Sequence, residues 1–160
     1  MNKKVKTLLS IFLCLSLFAC DNQAKHSSHS KFKAGALIRT VTGEKIDLNK
    51  LNRQWLIVNY WANWCEPCKK EIPELNALAK SHHDLYLVGV NYDGVNDSSL
   101  LELIAKNKIE YFNALNDPTE QLGVGDIPGL PVTFVFNQKG ELQKTLYGPQ
   151  TKDSLEKAIQ

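Results

Sequence analysis

The chain has 160 residues, a length that suits one domain preceded by a targeting segment. Its formal net charge is only +2, and three of its nineteen lysines and arginines lie before residue 20, so the remainder carries a slight excess of acids. No basic stripe is left in that remainder. We therefore expect no nucleic acid as a partner.

The first nineteen residues are predicted to be a signal peptide. Three lysines precede a charge-free run over residues 7–19, which is shorter than the roughly 20 apolar residues that span a bilayer. The run ends in Leu17-Phe18-Ala19-Cys20, which resembles the lipobox of bacterial lipoproteins, where the cysteine is acylated. We expect lipidation at Cys20 and hence the lipid bilayer as a partner. An ordinary cleaved signal or an uncleaved anchor, with Cys20 as a spare thiol, stays open.

Residues 20–35 are polar and lack an apolar period, which predicts a lipidated flexible tether. Asp21 resembles the signal that retains some Gram-negative lipoproteins on the inner membrane. The predicted location is therefore outside the cytoplasm, anchored to the inner membrane and facing the periplasm.

Residues 36–160 are predicted to form one α/β domain. Apolar periodicity and turn residues predict, in chain order, a hairpin (36–41 and 45–48), a buried strand (55–61), a helix (66–81), a second buried strand (85–92), a helix (97–106), a short strand (111–115), a short helix (118–122), a second hairpin (132–136 and 141–147) and a closing helix (151–159). Strand–helix–strand alternation followed by a hairpin and a helix favours a mixed sheet that is covered on both faces.

Only one pair of cysteines belongs to the predicted mature domain. Cys14 leaves with the signal peptide and Cys20 is expected to carry lipid, which leaves Cys65 and Cys68. A single close pair in an extracytoplasmic domain is not a disulfide scaffold, so the pair is interpreted as chemistry rather than reinforcement.

The first buried strand leads directly into Cys65-Glu66-Pro67-Cys68, which opens a helix. Free N–H groups and the helix dipole at this end stabilise a thiolate. We predict that Cys65 is the exposed nucleophile and that Cys68, one turn further, resolves the mixed disulfide. Trp64, Glu66 and Pro67 are expected to surround the pair.

Other uses of a Cys-x-x-Cys pair are less consistent with the residues present. Structural zinc needs four ligands, which His82-His83 would complete only if the fold returned them to the cysteines. A c-type haem needs histidine after the second cysteine, where Lys69 stands. Two thiolates suffice for Cu(I), so a copper-transfer module stays open. Beyond the redox disulfide we predict no cofactor and no metal.

The segment Asn59-Tyr-Trp-Ala-Asn-Trp-Cys-Glu-Pro-Cys-Lys-Lys-Glu-Ile-Pro73 resembles the active-site segment of the TlpA/ResA/CcmG branch of thioredoxin-fold proteins. The resemblance extends over about residues 36–159. It implies a thioredoxin fold, that is, a central mixed sheet flanked by helices, with an N-terminal β-hairpin and a central helix–strand insert at 95–116. It also implies that Leu130-Pro131 is the cis-proline loop, with Leu130 as a backbone contact for an extended substrate. From the residues alone, Pro128 is a rival for the cis position, although the β-run that follows favours Pro131.

Two further residues are assigned through the same resemblance. Asn59 occupies the strand position where ordinary thioredoxin has a buried aspartate. Glu71 matches the acidic residue that ResA-like proteins keep near the site, which implies a partly buried carboxyl with a raised pKa that exchanges a proton with Cys68. A solvated helix residue is the alternative for Glu71.

These assignments predict a thiol–disulfide oxidoreductase that reduces protein disulfides. The resemblance implies apocytochrome c as the substrate before haem attachment, and a membrane thiol carrier of the DsbD/CcdA type as the electron donor. Besides the copper module, a disulfide-forming oxidant is the alternative, although the central insert is short for one.

Overall fold

The computed structural model describes residues 32–95 and 97–160. The predictions for the signal peptide, for lipidation at Cys20 and for most of the tether fall on residues outside these ranges. Within the described ranges, no helix has the length and apolar character needed to cross a membrane.

The described chain contains seven strands, four α-helices and one short 3-10 helix. In chain order these are β1 Leu37–Arg39, β2 Lys45–Asp47, the 3-10 helix Leu48–Lys50, β3 Trp55–Trp61, α1 Glu66–Ser81, β4 Leu85–Asn91, α2 Asp97–Lys106, β5 Phe112–Asn113, α3 Thr119–Leu122, β6 Val132–Phe136, β7 Leu142–Tyr147 and α4 Lys152–Glu156.

Strand β3 lies at the centre of a five-stranded mixed sheet with the order β5-β4-β3-β6-β7. It pairs in parallel with β4 and antiparallel with β6, while β5 runs parallel to β4 and β7 antiparallel to β6. Strands β1 and β2 form a separate antiparallel hairpin. Because β3 is buried on both faces, its sequence is an almost continuous apolar run rather than an alternating one. This is the predicted thioredoxin fold with its N-terminal hairpin.

Each face of the sheet has its own core. Side chains alternate along β3, so Leu56, Val58 and Tyr60 pack beneath the β1–β2 hairpin and α3, whereas Ile57 and Trp61 pack beneath α1, α2 and α4. We call these the hairpin face and the helix face. The disulfide belongs to the core of the helix face.

The folded domain begins earlier than predicted. Phe32, which we assigned to the tether, is buried against Phe136 with ring centroids 5.0 Å apart. The Lys33 N–H also donates to the Gln121 carbonyl at 3.3 Å. A single aromatic residue among polar neighbours gives no periodic signal, so the pattern of the sequence places this boundary too late.

Several predicted elements are shorter in the structure, β5 and α4 among them. Strand β5 ends at Asn113 because Ala114 forms a bridge with Thr40 of the hairpin instead. Helix α4 ends at Glu156, after which the Ala158 N–H bonds to the Leu155 carbonyl three residues back and tightens the last turn. Helix α1 spans its predicted range, with Pro73 inside it.

Candidate active site

The cysteine pair joins the end of β3 to the start of α1. Cys65 is the N-cap of α1 in an extended conformation, and its Sγ accepts a hydrogen bond from the Cys68 N–H at 3.2 Å. The two residues are joined by a disulfide. Cys65 is buried at 4% exposure in this oxidised pair, not exposed as predicted, and Cys68 has no exposure at all. The N-cap sulfur is thus the more accessible one, and it faces a backbone donor that would stabilise a thiolate.

The three residues predicted to lie around the pair are exposed and form a rim beside it. Trp64 is 63% exposed, and its indole Nε1 donates to Asp93 Oδ1 at 2.7 Å in the loop after β4. The Glu66 carboxylate accepts from Lys69 Nζ at 2.7 Å, and this pairing lowers the pKa of Glu66. Pro67 lies in the first turn of α1, where its missing N–H costs no helical hydrogen bond.

The Leu130–Pro131 peptide bond is cis, as the resemblance implies, and it is the only cis bond within the described ranges, so the rival assignment to Pro128 is wrong. Leu130 packs against the helix-face core that contains both cysteines. The Pro131 carbonyl accepts from the Gly148 N–H at 2.9 Å, which ties the cis-proline loop to the chain after β7.

A shallow pocket of about 480 Å³ opens beside this loop. It is lined by Pro128, Gly129, Leu130, Pro131, Tyr147 and Gly148. Tyr147 is 66% exposed at the end of β7. Tyr147 was not predicted as a site residue, because nothing in the sequence shows that the end of β7 returns to the cis-proline loop.

Glu71 is buried, at 1% exposure. Its two carboxylate oxygens accept from Asn59 Nδ2 at 2.7 Å and from the Gln150 N–H at 2.8 Å. Burial raises the pKa of Glu71 to about 7, and these two hydrogen bonds oppose the rise. The alternative of a solvated helix residue is therefore wrong. Cys68 lies three residues earlier on α1, so the two side chains share a helix face.

Asn59 joins Glu71 to the sheet. Its Nδ2 donates to Thr133 Oγ1 at 3.0 Å as well as to Glu71, while its Oδ1 has no hydrogen-bond partner among the described residues. Thr133 and Gln150 were not predicted from the sequence. Both reach the cluster through long-range contacts that leave no local signal.

Among the described residues, no group of three or more histidine, cysteine, aspartate or glutamate side chains is arranged to hold a metal ion. His82 contacts Asp84 and Glu156 beyond the far end of α1. It follows Cys68 by fourteen positions along the helix, or about 21 Å along the axis. The fold therefore does not bring His82 back to the cysteines.

This geometry defines a thioredoxin-fold redox protein, with a disulfide at a helix N-terminus, a cis-proline loop and a buried carboxyl. Residues 22–145 match the AhpC/TSA family, and the chain belongs to that family.

Curated relatives and solved structures give the type within it. The sporulation thiol-disulfide oxidoreductase A of Bacillus subtilis is 31% identical over 157 residues, which is 94% of this chain and 94% of the relative. The thiol-disulfide oxidoreductase ResA of Bacillus cereus is 28% identical over 165 residues, which is 97% of this chain and 93% of ResA. The crystal structure of StoA from Bacillus subtilis matches with a TM-score of 0.64 and 31% identity, over 76% of this chain and 93% of that one. The protein is a thiol–disulfide oxidoreductase of the ResA/StoA type.

Proposed function

We propose that the protein is a membrane-anchored extracytoplasmic reductase of protein disulfides, in which Cys65 attacks the substrate and Cys68 resolves the mixed disulfide. The observation that carries the proposal is the N-cap position of Cys65, whose Sγ accepts the Cys68 N–H while Cys68 itself is fully buried. Only the first sulfur is placed to meet a protein substrate, and the second is placed to meet the first.

Reduction of the substrate proceeds by two successive thiol–disulfide exchanges. The Cys65 thiolate attacks one substrate sulfur, the substrate disulfide breaks, and the other substrate sulfur leaves as a thiolate. Cys68 then loses its proton and attacks Cys65 Sγ, which releases the second substrate thiolate and forms the Cys65–Cys68 disulfide. Two electrons pass to the substrate, which becomes a dithiol after taking up two protons. A membrane thiol carrier of the DsbD/CcdA type supplies the electrons that reduce the pair again.

Glu71 is the proton acceptor for Cys68 in this scheme. A pKa of about 7 leaves a substantial fraction of the carboxyl ionised at neutral pH and still basic enough to accept a proton. Its place one turn from Cys68 supports the assignment.

The substrate is a polypeptide bound in extended form beside the cysteines, and apocytochrome c before haem attachment is the proposed one. Leu130 offers backbone groups for such a chain, and the shallow pocket beside it accommodates a side chain. Trp64 belongs to the exposed rim around the cysteines.

Membrane attachment is proposed to run through lipid on Cys20. Twelve residues lead from Cys20 to Phe32, and such a length reaches at most about 40 Å. Metabolic labelling with palmitate should mark the wild type and spare Cys20→Ser. Equal labelling of both would contradict lipidation at this residue.

The substrate claim is tested by trapping. Cys68→Ala should hold a Cys-x-x-Cys-His peptide disulfide as an adduct on Cys65, detected as a mass increase that dithiothreitol removes. Cys65→Ala is the matched control and should form none. No adduct with Cys68→Ala would remove the peptide from consideration.

The direction of electron flow is tested by the reduction potential of the Cys65/Cys68 pair. A value near or below about −270 mV supports a reductase, whereas one near about −120 mV makes the protein an oxidant.

A further inference from the structure

Tyr111 is a buried titratable residue without a role in the scheme above. It lies just before β5, is 9% exposed and packs in the helix-face core together with both cysteines. Its hydroxyl has no hydrogen-bond partner among the described residues. Buried hydroxyls are normally paired, so an unpartnered one requires an explanation.

Gly89 leaves room for the Tyr111 ring beside Asn59, which holds the Glu71 carboxylate. In the register of the sheet, Gly89 lies between Asn59 on β3 and Asn113 on β5. A Cβ added to Gly89 would lie 3.1 Å from Tyr111 Cε2 and 2.6 Å from the Asn113 side chain. The absence of a side chain at Gly89 therefore leaves room for Asn113 and for the phenol ring against the sheet. Cε2 adjoins the carbon that bears the hydroxyl, so the hydroxyl lies close to this row.

Two unmatched polar atoms lie in this region, too far apart for a hydrogen bond. Asn59 Oδ1 is an acceptor without a donor among the described residues, and the Tyr111 hydroxyl is a donor without an acceptor there. The amide of the same Asn59 holds Glu71. Burial is the main cause that raises the pKa of Tyr111, and the negative charge of Glu71 is the second. The carboxylate therefore acts electrostatically on the phenol.

The other described groups near Glu71 are already hydrogen-bonded or carry no charge. On α1, Cys68 shares its face, and Glu74 is occupied by the Lys152 N–H at 2.8 Å. The chain before α4 contributes the Gln150 N–H, while β3 and β6 contribute uncharged side chains. No described lysine, arginine or histidine contributes to the shift in the pKa of Glu71.

We propose that the Tyr111 hydroxyl is a positioning group for Glu71, which turns its proton toward the Asn59–Glu71 pair and stabilises the carboxylate. A phenol hydroxyl rotates about its C–O bond, so an unpartnered one orients toward the nearest negative charge. In a low-dielectric interior that dipole favours the ionised form of the acid. Tyr111 thereby keeps more of Glu71 ready to accept the proton of Cys68.

The test is Tyr111→Phe, which keeps the ring against Gly89 and removes only the hydroxyl. Loss of an unpartnered buried hydroxyl should not prevent folding, and thermal unfolding checks this. The matched control is Tyr86→Phe, the same change at a residue that packs against the hairpin-face core. The Glu71 carboxyl is titrated by carbon-13 NMR in the oxidised full chain, where the cysteines do not titrate. Glu71→Gln assigns its resonance.

We expect the acid dissociation constant of Glu71 to fall about twofold in Tyr111→Phe, less than a full hydrogen bond would give because the hydroxyl forms none with the described residues, and to stay unchanged in Tyr86→Phe. An unchanged or larger constant in Tyr111→Phe overturns the proposal.

The role of Tyr111 in catalysis rests on the proposed role of Glu71 as proton acceptor, and single-turnover kinetics separate the two. The resolving step of Tyr111→Phe should slow at pH 7 in proportion to the ionised fraction of Glu71 that is lost, and it should recover at pH 9. A shifted titration with unchanged rates would reject Glu71 as the acceptor while keeping the Tyr111–Glu71 coupling.

Discussion

The two faces of the central sheet treat their buried polar groups differently. On the hairpin face, the Tyr60 hydroxyl donates to Asp117 Oδ1 at 2.8 Å and also contacts Thr119. On the helix face, Asn59, Asn91 and Tyr111 each bury a side-chain atom without a partner among the described residues. Unpaired buried groups cost stability, so the face that holds the disulfide is the one where local rules of packing are relaxed. Such departures are expected at functional sites.

The largest expected effect is a loss of activity on the helix face, at the disulfide. Cys65→Ala should reduce disulfide-reductase activity to the uncatalysed background, because the other described sulfur, that of Cys68, is fully buried and cannot attack a substrate. Insulin reduction by the full chain measures the activity. Circular dichroism should show an unchanged fold. Residual activity well above background would mean that Cys65 is not the attacking thiolate.

A change on the hairpin face should lower the stability of the fold and leave the pH dependence of the activity unchanged. Phe136 is fully buried against Phe32, and Phe136→Ala should lower the free energy of unfolding by about 3–5 kcal/mol. Urea denaturation measures this loss. The pH dependence of the reductase, measured under conditions where the variant is folded, should stay that of the wild type. A shifted pH profile would show that the two faces are coupled.

Glu71 should make stability depend on pH. Its folded pKa of about 7 lies above the ordinary pKa of 4.5, so the folded state holds the proton more tightly. This contribution is fully present below pH 4.5 and is lost as the pH rises to about 7 and beyond, amounting to about 3 kcal/mol. Urea denaturation at pH 5 and pH 8 should show the loss in the wild type but not in Glu71→Gln. The same slope in both would assign the pH dependence to other groups.

The smallest expected effect concerns Tyr60. Tyr60→Phe should cost about 1 kcal/mol, the net value of a hydrogen bond, because Asp117 and Thr119 also bond to each other and are partly solvated. Thermal unfolding is the measurement. A cost above about 3 kcal/mol would show that the hairpin face depends on its polar contacts as strongly as on its core.

The central part of the fold was predictable because its signals are local. The apolar run of β3 and the period of α1 predicted Trp55–Trp61 and Glu66–Ser81 with the bounds seen in the structure. The Cys-x-x-Cys pair between them followed from the same stretch. Assignment of the cis bond to Leu130–Pro131 drew on the family resemblance, since the residues alone kept Pro128 as a rival.

The environment of Glu71 was not predictable in the same way. Gln150 is 79 residues away along the chain and Thr133 is brought in by the β3–β6 pairing. The contact between Gly89 and Tyr111 depends on the order of strands in the sheet. These neighbours decide how deeply the carboxyl is buried and therefore whether it is a base or a surface charge.

The early start of the folded domain sets the point at which the chain enters it. Phe32 lies against Phe136, which is registered with Leu56 near the beginning of β3, whereas the disulfide follows the end of that strand. The chain thus enters the domain at the pole opposite its reactive sulfur, about 20 Å away by the rise of a strand. An anchor placed ahead of Phe32 would attach the domain at the end remote from the cysteines. The cysteines would then be accessible to proteins in the surrounding compartment rather than covered by the lipid surface.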